Sequence, residues 1–157
     1  MFTTLQQFLS MWKHESAQTT RVLAELTDES LDVAIAEGQR TLGELAWHIV
    51  VSQQEIVAKT GLAFEAPSKS VGRPPRAREI LTAYRGAASA LAEAVERSWT
   101  DASLADEDEI YGMRWTRGYT LSVMLLHEVH HRGQLTALMR PAGLKVPGVY
   151  GPSGDEA

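Results

Sequence analysis

The chain has 157 residues and a mass of 17.3 kDa, the size of one ordinary domain, and it reads as a single domain over 1–157. With 44% apolar residues it can build a core without staples, and its lack of cysteine excludes disulfides, thiolate-ligated zinc, iron–sulfur clusters and a catalytic protein thiol. A net charge of −5 with a pI near 5.5 argues against a nucleic-acid partner.

The N-terminus, MFTTLQQFLSMWKHE, lacks the basic and continuous apolar regions of a signal peptide. The longest apolar runs, such as Ile49 to Val51 and Val123 to Leu126, fall far short of the ~20 residues of a membrane span. The expectation is a cytoplasmic protein with no membrane partner.

In chain order, Phe2, Leu5, Phe8, Leu9, Trp12, Thr19, Val22, Leu23 and Leu26 recur at three- and four-residue steps and predict a first helix ending near Leu26. Residues 27–40 read as a connection with room for a short helical turn. Thr41-Leu42-Gly43-Glu44 fits a capping box, so a second helix is predicted from Thr41 to a stop at Gly61. The Pro-, Ser- and Gly-rich stretch from Ala66 to Arg76 is the main loop, long enough for the third helix to cross over instead of running antiparallel to the second.

A third helix is predicted from Ala77 to Trp99. Residues 100–119, with the acidic run Asp106 to Glu109, read as solvated loop, and no hairpin signal stands out. The fourth helix is predicted from near Thr120 to Pro141, followed by an extended tail over 142–157 that Tyr150 can anchor. Four long helices without a convincing strand predict an all-α, four-helix bundle with a long crossover between helices 2 and 3.

Three of the five histidines, His127, His130 and His131, fall within five residues of the fourth helix. His127 and His131, spaced i, i+4, share a face and can converge on one ion, whereas His130 is the weaker partner. A third ligand would turn a weak pair into a site with an open position. His48, in an apolar stretch of the second helix, is the candidate, and a core histidine bonded to a backbone carbonyl is the alternative. His14, between Lys13 and Glu15, reads as solvated.

The run His127-Glu128-Val129-His130-His131 also matches HExxH, the zinc-protease signature in which the Glu is the general base. No His follows His131, the only later acids are Asp155 and Glu156 near the chain's end, and no sheet is predicted to hold an extended peptide. The protease reading is therefore set aside.

Three places in the sequence resemble the DinB/YfiT-like family of metalloenzymes: HEVHHRGQ from His127 to Gln134, TLGELAWH from Thr41 to His48, and the tail with Gly143, Pro147 and Tyr150-Gly151-Pro152. The resemblance spans most of the chain. It implies a four-helix bundle with a crossover, a divalent metal held by His48, His127 and His131, and a homodimer. Arg132 and Gln134 match the motif as non-ligands that orient or support the site, and Gly133 reads as a close-packing glycine.

The resemblance further implies a thiol transferase or isomerase that uses an external low-molecular-weight thiol such as bacillithiol or mycothiol on small electrophiles. Arg114, Arg117 or Arg132 would anchor an anionic cofactor, and Trp47 and Trp115 would line an apolar pocket beside the metal. Zinc, nickel, iron and manganese all accept imidazole. Two alternatives remain open: a small-molecule hydrolase with Glu128 as general base, and a non-catalytic, stress-associated protein whose metal clamps helix 2 to helix 4.

Overall fold

Thr4 opens the first helix, its hydroxyl accepting from the Gln7 N–H while Gln7 reaches back to the Thr4 backbone. In the computed structural model, which describes residues 1–156, this helix, α1, runs Leu5–Ala24. The capping box at Thr41 forms as predicted, with Glu44 bonded to the Thr41 N–H (2.8 Å), and starts α2 at Leu42–Val57. A 3₁₀ turn, Ala58–Thr60, carries the chain to a left-handed Gly61. Helices α3 (Ala77–Ser98) and α4 (Arg117–Met139) follow, with α4 capped by Thr116, three residues earlier than the start expected at Thr120. The polar turn after α1 contains a short 3₁₀ helix, Asp28–Ser30.

One prediction fails over residues 100–119. The stretch read as a solvated loop contains an antiparallel hairpin, β1 (Glu107–Ile110) with β2 (Met113–Thr116). Its turn is Tyr111-Gly112, both with positive φ (52° and 76°), the type I′ geometry whose twist matches paired strands. Tyr is an uncommon residue in that conformation, which is why the turn does not announce itself. β1 carries charge instead of alternating apolar residues, and β2 is so short that its alternation is confined to Met113 and Trp115. Arg114 pairs with Glu107, Arg117 pairs with both Asp106 and Asp108, and Ile110 supplies the fully buried anchor.

Helix directions follow from the contacts. The Phe2 N–H bonds to the Gly118 carbonyl and Glu15 meets Arg132, so α1 and α4 run parallel. Leu5 bonds to Asp101 and Trp12 Nε1–H donates to the Ala88 carbonyl, so α1 and α3 are antiparallel. Gln53 meets Glu128 while His48 packs on His131, so α2 and α4 are antiparallel.

It follows that α2 and α3 point the same way, and the connection over 58–76 is the expected crossover. α1 and α2 each pack on α3 and α4, which places α1 diagonally across from α2 and α3 diagonally across from α4. Trp47 Nε1–H donates to the Val71 carbonyl (2.9 Å) and pins the crossover to the middle of α2. The core between the helices is lined by Phe8, Trp12, Val22, Ile49, Ile80, Leu91, Leu121 and Leu135. Among the described residues, no helix is long and apolar enough to cross a membrane.

Candidate metal centre

The α4 sequence places two i, i+4 pairs on adjacent stripes about 100° apart. His127 and His131 face α2, and Glu128 and Arg132 face the bundle interior. His48, from the middle of α2, meets the first pair. Its ring centroid lies 5.1 Å from that of His127 and 4.5 Å from that of His131, and the latter two are 4.4 Å apart. Ring nitrogens of all three lie within 4.8 Å of one another.

Burial, the largest influence, pushes the His48 and His127 imidazoles down to about 4, with His131 and the Arg40 guanidinium among the charges acting in the same direction. His131 is lowered by burial too, against the opposing effect of its bond to Gln134. The three rings are therefore neutral at neutral pH, the form that binds metal.

The donor set fits a divalent ion. His131 Nδ1 is 2.7 Å from Gln134 Oε1; an amide oxygen can only accept, so Nδ1 carries the proton and Nε2 presents a lone pair. That lone pair stands 3.1 Å from His127 Nε2, close to the ~3.3 Å separating two imidazole nitrogens on one tetrahedral zinc. Gln134 thus fills the orienting role expected of it. His130 is exposed and stays outside the group of three, and His14 is exposed and stacks on Tyr150.

Other expected site residues lie elsewhere. Glu128 is 3% exposed and accepts hydrogen bonds from Thr19 Oγ1 (2.8 Å), Tyr84 OH (2.6 Å) and Gln53 Nε2 (3.3 Å). With its oxygens engaged by three other helices it is a core residue, not the general base of this centre. Burial nonetheless lifts its carboxyl to about 7 against the pull of Tyr84, Thr19, Arg132 and Gln53. Arg132 is 2% exposed and donates to Glu15, Thr19 and Tyr150, so it cannot anchor a cofactor. Arg114 and Arg117 are committed to the hairpin acids.

Trp47 is a core side chain tied to the crossover, and Trp115 stacks edge-on between Tyr111 and Tyr119 on the hairpin. Neither lines the cavity that opens beside His131. That cavity, about 380 Å³, is bounded by Ile35, Gln39, Arg40, Leu45, His131, Gln134, Ala137 and Leu138. Arg40 and Glu55 escaped the sequence reading. Glu55 falls seven residues after His48 on the same stripe of α2, a spacing that was the signal available, whereas Arg40 lies in the connection before the helix, where no periodicity points to it. Glu55 is the carboxylate whose charge reaches both His48 and His127.

The chain matches the DinB family over residues 1–157. It is 41% identical over 156 residues to the uncharacterized protein YrdA of Bacillus subtilis (strain 168), covering 99% of this chain and 93% of that one. It is similar to the crystal structure of a DinB-like protein from Bacillus cereus ATCC 10987, with a TM-score of 0.92 and 43% identity, covering 96% of this chain and all of that one. A DinB-like protein of Bacillus subtilis, YjoA, shares the fold at a TM-score of 0.69 and 21% identity, over 87% of this chain and 92% of that one.

Proposed function

The chain belongs to the DinB family, and we propose that it is a divalent-metal enzyme that brings an external low-molecular-weight thiol, of the bacillithiol or mycothiol type, to a small electrophile. The observation that carries this reading is the convergence of three imidazoles from two helices. A divalent ion bound there supplies Lewis acidity and lowers the pKa of a thiol or water brought to it. His48, His127 and His131 hold the ion, and Gln134 keeps the His131 proton on Nδ1. The neighbouring cavity receives the apolar body of the substrate. The chain has no cysteine, so a reacting sulfur must be imported.

A fully metal-loaded protein should transfer bacillithiol or mycothiol to at least one member of a panel of alkyl halides, epoxides and activated alkenes. No turnover with any thiol across that panel would refute the transferase reading and favour a metal that only clamps α2 to α4. Hydrolysis by water is the second reading: Glu55, ion-paired with Lys69 (3.2 Å) near the end of α2, is the carboxylate whose charge reaches His48 and His127. Cytoplasmic residence and a homodimer belong to the same proposal. The large apolar side chains Met1, Met11 and Leu126 are exposed around one cavity of the α1–α4 face and would give a second copy something to cover. A molar mass of two chains by light scattering is the expected result.

A further inference from the structure

The lining of the cavity beside His131 is chemically one-sided. Ile35, Leu45, Ala137 and Leu138 form an apolar wall, and among the described residues Arg40 is the one guanidinium or ammonium side chain in the lining. Among the described residues no carboxylate lines it. Gln134 spends its Oε1 on His131, which leaves its NH₂ group as the part free to meet a ligand. Among the described residues Arg40 takes part in no ion pair, unlike Arg73, Arg114, Arg117, Arg132 and Arg140. It lines the same cavity as His131, which puts its charge beside the centre and not on a remote face.

A cation and an amide donor above an apolar wall select an acceptor-rich, negatively charged group on a molecule with an apolar body. We propose that this cavity binds small carboxylates, with the carboxylate on Arg40, the hydrocarbon body on Leu45, Ala137 and Leu138, and the rest of the molecule turned toward His131. Arg40 is then the residue that determines specificity. The location beside a metal centre rests on the reading above, whereas the carboxylate preference rests on the cavity alone. At about 380 Å³ the space lies at the small end of ligand pockets, which favours a compact substrate over a peptide.

The test uses hexanoate, hexanol and hexylamine as probes, titrated calorimetrically into the full chain with and without bound metal, with metal content measured on every sample. Hexanoate should bind more tightly than hexanol, and hexylamine should bind worst. Arg40→Gln should weaken hexanoate by about tenfold, the scale of one hydrogen bond to a charged group, while leaving hexanol and metal content unchanged. Ala137→Trp, at an exposed position of the lining, should block both hexanoate and hexanol.

Equal hexanoate affinity in wild type and Arg40→Gln, binding of hexylamine as tight as hexanoate, or insensitivity to Ala137→Trp would each overturn the proposal. So would loss of metal in Arg40→Gln, which would make Arg40 part of the ion's own site. A wild type that takes up no metal but still binds hexanoate through Arg40 would remove the metal reading and leave the carboxylate pocket standing.

Discussion

Gln134 shows how much a single side chain outside the ligand set contributes. Its carbonyl oxygen holds the His131 proton on Nδ1, and a partner of this kind is worth roughly 10–100-fold in metal affinity. Gln134→Leu should therefore bind metal 10–100-fold more weakly by competition with a chromophoric chelator, with little change in metal-free stability because the residue is exposed. Glu128 makes the opposite point, since the same eight residues, His127 to Gln134, contain a carboxylate that works in the core. Its carboxyl titrates at about 7 in the fold against 4.5 as the unperturbed value. Between those values the folded state holds the proton more tightly than the unfolded chain, so raising the pH through this window costs stability. Glu128→Gln cannot ionise. Its stability relative to wild type, in urea unfolding of metal-free protein, should rise from pH 4.5 to pH 7 by on the order of 3 kcal/mol and level off above. A difference that stays constant with pH would contradict this account. His48 and His127 act in the other direction: lowered to about 4, they stabilise the fold above their unfolded value of 6.5 and lose that contribution as the pH falls toward 4.

At the scale of elements, the helices were legible because their caps and periods are local signals: Thr41 and Glu44 close the box that the sequence advertises. The His127–His131 pair was legible for the same reason, since i, i+4 spacing alone puts both rings on one face. The hairpin was not. The acidic β1 shows no apolar alternation, β2 alternates only Met113 and Trp115, and the Tyr-Gly turn lacks an Asn-Gly signature, while the Glu107–Arg114 pair across the strands exists only in the folded register. Gly133 was misread from its motif. It was expected to permit close packing, yet it is exposed, and a Cβ built there meets nothing within 4 Å. Gly133→Ala should consequently stabilise α4 by about 0.5–1 kcal/mol, the ordinary cost of glycine in a helix interior, read as a shift in the urea midpoint. Destabilisation instead would mean that another molecule packs against that face.

Across the whole molecule, one buried polar network links what the core and the site each require. Glu15 and Thr19 on α1, Gln53 on α2, Tyr84 on α3, and Glu128 and Arg132 on α4 bond to one another, and Tyr150 of the tail closes the chain by bonding to both Arg132 and Glu15. Each α4 member adjoins a metal-facing histidine, so the network sets the rotation of α4 that turns His127 and His131 toward His48. Sequence alone hid this partnership because Glu15 lies 117 residues from Arg132, and its hint was only an acid, with Thr19 one turn on, along the buried stripe of Phe8, Trp12 and Val22. Glu15→Ala leaves Arg132 buried without its counter-charge, and should cost about 3–5 kcal/mol in equilibrium unfolding. An unchanged midpoint would show that the pair contributes nothing to the fold.

The convergence of α2 and α4 on one ion is tested most directly by elemental analysis of tag-free, folded protein, wild type beside His48→Ala. The account predicts about one divalent ion per wild-type chain and loss of that ion in the variant, because two i, i+4 imidazoles on α4 make only a weak site without the third ligand from α2. A wild type that refuses added metal, or a His48→Ala protein that retains it in full, would contradict it.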